Sequence, residues 1–147
     1  MKHNNRWMLV ALMIAALALA ACGQTPAATA TKIQPAAVEK IAGSDFNRVV
    51  LTEKAALRLN IQTAAVGEEQ VNGAQRKVIP YAALVYGLKG ETWTYTSPAP
   101  RTFVRQPIKV DYIEGDKVVL VDGPASGTAV VTVGVAELYG TDTGIGK

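Results

Sequence analysis

The chain has 147 residues, a formal net charge of +3 and an apolar fraction of 49%. That length is enough for one domain with a sizeable core, and no run of basic residues marks a nucleic-acid surface. The only histidine is His3, the methionines are Met1, Met8 and Met13, and the only cysteine is Cys22. Beyond Cys22 the side chains that bind copper and zinc are therefore missing, so no transition metal is expected. Histidine general-base chemistry and Ser-His or Cys-His nucleophiles fall with them, so neither a cofactor nor an enzyme is expected.

Lys2, His3 and Arg6 precede an uncharged run from Trp7 to Ala21. Basic, then apolar, then small residues is the order of an export signal. The run is shorter than the roughly 20 apolar residues that span a bilayer. A disulfide within the chain lacks a second cysteine, and Gly23-Gln24-Thr25-Pro26 builds no fold around a catalytic thiol. Leu19-Ala20-Ala21-Cys22 resembles the lipobox of bacterial lipoproteins, in which the cysteine is acylated and becomes the mature N-terminus. Ala18 and Ala20 would also permit ordinary cleavage. The resemblance implies a signal peptide over 1–21, lipidation of Cys22, and a location outside the cytoplasm on a membrane. Stable anchoring takes two or more membrane-binding signals, which several acyl chains supply at about 0.8 kcal/mol per buried methylene. From Cys22 onward 13 Lys+Arg face 12 Asp+Glu, so the net side-chain charge drops to +1.

Residues 22–45 are rich in Ala, Thr and Pro and predict a flexible tether, with Ile33, Val38 and Ile41 able to dock locally. Arg48 to Leu51 predicts a strand. Thr52 caps a helix over Lys54–Leu59, with Glu53 favourable at its positive end and Asn60 as a left-handed stop. Ile61 to Val66 predicts a strand, and Gly67 to Ala74, which contains Asn72-Gly73, a polar loop. Strands follow over Arg76–Ile79 and Ala82–Tyr86. Thr92 to Thr96 alternates, with Trp93 and Tyr95 on one face and the threonines on the other. Ser97-Pro98-Ala99-Pro100 breaks that run, and Thr102 to Tyr112 resumes it. Glu114-Gly115-Asp116 turns into Lys117–Val121, Gly123 to Gly127 turns again, and Thr128 to Val133 is the last strand. The reading is mainly β, a small antiparallel barrel or sheet domain with one short helix over 46–140, and a flexible tail over 141–147.

Two stretches resemble the periplasmic adaptor (membrane-fusion) subunits of resistance-nodulation-division efflux pumps. "RVVLTEKAALRLNIQTAAV", from Arg48 to Val66, is similar to the strand–helix–strand that leads into the adaptor's hairpin. "KVIPYAALVYGLKGETWTYT" and "IKVDYIEGDKVVLVDGPASGTAVVTVGVAELYG" are similar to its C-terminal part. In that family a barrel, a lipoyl-like domain and a helical hairpin separate the two stretches; here only Gly67 to Gln75 does. The resemblance therefore implies a membrane-proximal domain alone, contacting a transporter without reaching an outer-membrane channel. The function it implies is a lipid-anchored, extracytoplasmic binding module, an accessory or adaptor-like component of an efflux system. A stand-alone envelope carrier or sensor of small hydrophobic ligands is the alternative.

Trp93 and Tyr95 are the candidate partner-contact residues, although paired strand aromatics commonly serve packing. Tyr81 and Tyr86 bracket a strand and carry no chemical signature. Asp111, Glu114, Asp116 and Asp122 lack the spacing of a calcium loop and suit a solvated turn better than a carboxylate pair for hydrolysis. "GTDTGIGK" fails as a phosphate loop because its glycine spacing is wrong and no Ser or Thr follows Lys147. Arg76, Lys77, Lys89, Arg101 and Arg105 are scattered, as ordinary solvated charges are, or as headgroup contacts would be.

Overall fold

The computed structural model describes residues 34–145; Cys22 and the expected signal segment lie outside them. Among the described residues, eleven strands form two antiparallel sheets, accompanied by two α-helices. The first sheet runs β1 (Ala36–Lys40), β2 (Asn47–Leu51), β8 (Thr102–Pro107), β7 (Thr92–Ala99), β11 (Ala129–Val133), β3 (Gln62–Ala65), and the short β6 (Val85–Tyr86) also pairs with β7. The second runs β4 (Gly67–Val71), β5 (Ala74–Pro80), β10 (Lys117–Asp122), β9 (Lys109–Glu114). The mainly β reading holds. Of its two forms the open sheet is the one observed, because the sheets end on free edges and do not close into a barrel.

Helix α1 (Glu53–Leu59) forms for the reasons visible in its sequence. The Thr52 hydroxyl accepts from Ala55 N at 3.2 Å, Glu53 sits in the first turn, and Asn60 stops the helix at φ 49°. Its apolar side, Ala55, Ala56 and Leu59, packs on a core of Val49, Leu51, Tyr95, Phe103, Val131 and Leu138. A second helix, α2 (Val135–Thr143), shares that core through Leu138, Val135 and Tyr139. Gly134 starts α2 at φ 85°, where a Cβ would collide with Ile61 Cδ1. The other face of the first sheet meets the second sheet across Val66, Ile79, Ala83, Ile108, Val118, Leu120 and Val130. Alternation along β11 puts Val130 in one core and Val131 in the other.

Several expectations give way to tertiary pairing. Part of the expected tether, Ala36–Lys40, is strand β1, and the expected tail begins as helix, since α2 runs to Thr143. The second helix was not anticipated. Gly67–Ala74 is not a loop but a hairpin, β4 to β5, turning at Asn72 (φ 52°) and Gly73 (φ 78°). Two positive φ values make the mirror-image turn whose twist suits a two-residue hairpin. The Ala82–Tyr86 stretch is a 3-10 turn at Tyr81–Ala83 and then β6. Pro98 lies within β7, which continues to Ala99 and turns at Arg101 (φ 57°). The long Thr102–Tyr112 run divides after Pro107, with β8 in one sheet and β9 in the other, and Ile108 buried at the corner.

The Thr52 cap has a measurable weight. Thr52→Ala is expected to cost about 1 kcal/mol, about 4 °C in Tm, while Thr52→Ser stays close to wild type. Thermal unfolding followed by circular dichroism checks it, and an unchanged Thr52→Ala melt would refute the cap.

Candidate functional site

The richest side-chain cluster lies beneath α2, on the face of β7 that carries Trp93 and Tyr95. Tyr95 is 0% exposed and its hydroxyl donates to Asp142 Oδ2 at 2.8 Å. Asn47 Nδ2 donates to Asp142 Oδ1 at 2.9 Å and to the Asp142 carbonyl at 3.3 Å. Arg105, directly opposite Tyr95 in the β7–β8 ladder, brings Nε to 3.2 Å from Asp142 Oδ2. The Nε–H is not aimed at that oxygen well enough to count as a hydrogen bond, so the attraction is mainly coulombic. The Asp142 side chain is 0% exposed and that of Arg105 16%.

Three aromatic rings enclose the guanidinium. Its central carbon lies 5.1 Å from the Trp93 ring, 5.7 Å from Phe46 and 5.6 Å from Tyr139. Phe46 meets Trp93 edge-on at 5.2 Å. A weakly hydrated, planar cation suits such walls, whereas an ammonium would leave more hydration behind. Burial, then the Asp142 charge and hydrogen bond, pushes the Tyr95 phenol far above its usual range. The arrangement therefore keeps Tyr95 protonated as a donor to Asp142.

Sealed beneath the helix, this carboxylate meets no solvent, so the cluster acts as a lock between α2, β2, β7 and β8. The two candidate contact residues separate accordingly. Tyr95 belongs to the interior and is withdrawn as an outer contact, while Trp93 is half-buried against Phe46 and Arg105. Sequence reading placed Arg105 among scattered charges and gave Asp142 and Asn47 no role. No local spacing connects residues from four separate elements.

The acidic residues of the β9–β10 region stay apart. Asp111 lies 3.9 Å from Arg76, and Asp122 lies 3.9 Å from Lys77 and accepts from Gly123 N. Among the described residues, no three His, Cys, Asp or Glu side chains gather as a metal site would require. On β4, Glu68 accepts from Ser126 and Gln75, which lowers its carboxyl below the usual range. Glu69 reaches Lys117 at 2.5 Å and raises that ammonium. These are exposed pairs, worth little individually.

An open groove lies elsewhere among the described residues. It encloses about 390 Å³ between β1 and α2 and is lined by Gln34, Pro35, Ala36, Val38, Glu137, Gly140, Thr141 and Ile145. Val38 is 41% exposed and Ile145 63%, and Gln34 is the first described residue. Comparison with protein-family models, with curated proteins and with solved structures gives no match for this chain.

Removing one partner of the lock leaves the other charge buried. Arg105→Ala is expected to lower stability by about 3–5 kcal/mol in urea unfolding, with Arg105→Lys in between. A loss below about 1 kcal/mol would contradict the lock. Tyr95 adds a pH dependence. Its folded pKa lies above the unfolded value of about 10, so its contribution is complete below pH 10 and fades as pH rises further. The stability advantage of wild type over Tyr95→Phe should therefore shrink above about pH 10, as paired unfolding curves would reveal. A constant difference would exclude the linkage.

Proposed function

We propose that this chain is a lipid-anchored, extracytoplasmic binding module of a membrane transport assembly, and not an enzyme. The observation that carries the reading is how the domain uses its polar groups. Among the described residues, the charged cluster around Asp142 is sealed as a lock, while an apolar groove lies accessible beside a free strand edge. Groove and edge lie next to Gln34, the first described residue, 12 positions after Cys22 in the sequence. Packed side chains fill the space between the sheets, which supports docking over the carriage of a small hydrophobic ligand in an interior cavity. The adaptor-like stretches Arg48–Val66 and Lys77–Gly140 support a transporter as the partner.

The reading has a two-part test. Mass spectrometry of the mature N-terminal peptide should find residues 1–21 removed and Cys22 acylated, and Cys22→Ser should move the protein from the membrane to the soluble fraction. Cells lacking the chain should retain a fluorescent efflux substrate that wild type expels, and Cys22→Ser should not restore its export. An unmodified Cys22 would overturn the anchor, and unchanged dye export would overturn the transport role.

A further inference from the structure

The outer edge of β1 holds hydrogen-bonding groups that β2 does not use. Thr52 N donates to Pro35 O at 2.9 Å, and the ladder then pairs Ala36 with Leu51, Ala37 with Val50 and Val38 with Val49. Hydrogen-bonded and non-hydrogen-bonded pairs alternate along an antiparallel ladder. The N–H and C=O groups of Ala37 and Glu39 therefore turn towards β2, and those of Ala36, Val38 and Lys40 turn outward. β1 is the terminal strand of its sheet, and its register carries neither a bulge nor an internal proline. Such devices ordinarily keep an edge from pairing.

We propose that β1 pairs antiparallel with β1 of a second copy of this chain, across a two-fold axis through Val38. That register sets each outward-facing residue against another, Val38 against Val38 and Ala36 against Lys40, giving about six backbone hydrogen bonds. Side chains select this occupant over an unrelated strand. Ala36, Val38 and Lys40 share the face on which Ala36 packs towards the helices, and Glu137 lines the groove beside Ala36. Opposite Ala36, Lys40 of one copy comes beside Glu137 of the other, and the axis repeats the pair. Among the described residues neither Lys40 nor Glu137 has an ion-pair partner within its own chain. Val38 and Ile145 lose exposure in the same contact. The patch is self-complementary, as an isologous interface must be. One short strand and its groove make a small interface, so the dimer is weak and concentration-dependent.

Light scattering of the full-length chain in mild detergent, from micromolar to submillimolar concentration, should show a reversible monomer–dimer equilibrium. Lys40→Glu and Glu137→Lys should each weaken it about tenfold, and the double variant should restore it. Val38→Pro should abolish it with an unchanged far-ultraviolet spectrum, because the lost N–H points away from β2. Val38→Cys should form a 38–38 cross-link on oxidation, mapped by mass spectrometry apart from Cys22, since the facing positions lie within disulfide range. A monomer at every concentration overturns the proposal. So does a dimer indifferent to the charge reversals and to Val38→Pro, or one whose Val38→Cys form cross-links elsewhere.

Discussion

A single buried carboxylate organises the helical side of this domain. Asp142 is tied to β7 through Tyr95, to β2 through Asn47 and to β8 through Arg105. Helix α2 needs those ties. It has nine residues, includes Gly140, and its Thr141 and Thr143 hydroxyls donate back to the carbonyls of Glu137 and Tyr139. Back-bonding of that kind tends to bend a helix, and isolated helices of such length are marginal in water. Tertiary anchoring must hold it, and only Leu138 and Asp142 are buried in it. Ionic burial is costly, and a hydrophobic replacement could be as stable. What the charged version adds is position. A carboxylate with two directional hydrogen-bond donors and a cation beside it fits one placement of α2, whereas a greasy contact fits many.

The two-sheet layout arises from two strands that change sheets. β3 passes into β4 at Val66, and β8 passes into β9 at Ile108, and both corner residues are buried in the inter-sheet core. Continuity at the corners fixes the sheets relative to each other without closing the far sides. β1 and β3 therefore remain terminal in one sheet, and β4 and β9 in the other. The edge strand β4 is polar, with Glu68, Glu69 and Gln70 bonded to Ser126, Lys117 and Gln75. Charge on an edge discourages pairing with other chains. β1 has fewer such guards, since its one paired charge, Glu39, is already matched with Arg48.

What was legible in the sequence follows from the range of the interactions. Thr52 and Asn60 bracket α1 because a cap reaches only three residues, so α1 was readable almost to its ends. Strands β2, β10 and β11 showed as apolar runs because they supply the buried Val49 and Leu51, Val118 to Leu120, and Val130 and Val131 of the cores. β1 did not. Its sequence, AAVEK, has little apolar content, and only pairing with β2 makes it a strand. β4 hid for a related reason, its glutamates and glutamine suggesting a loop where cross-strand partners form a hairpin. The Arg105 lock left no local trace, because its members come from β2, β7, β8 and α2 and meet only in the finished fold. Alternation in β7 did foretell that Trp93 and Tyr95 share a face; it could not tell that a helix would cover that face.

Interior lock and open groove are mechanically one object. Glu137, Gly140, Thr141 and Ile145, on or just beyond α2, form one wall of the groove, and Ala36 and Val38 of β1 form the other. The wall stands where Asp142 holds it. β1 in turn is registered by β2, whose first residue, Asn47, donates to Asp142. Both walls are therefore positioned by the same carboxylate, from inside. A side chain with no solvent contact thus sets the spacing and level of an open groove on the domain. A substitution at Arg105 or Tyr95 would alter the groove without lining it, because loosening the lock would let the two walls move independently.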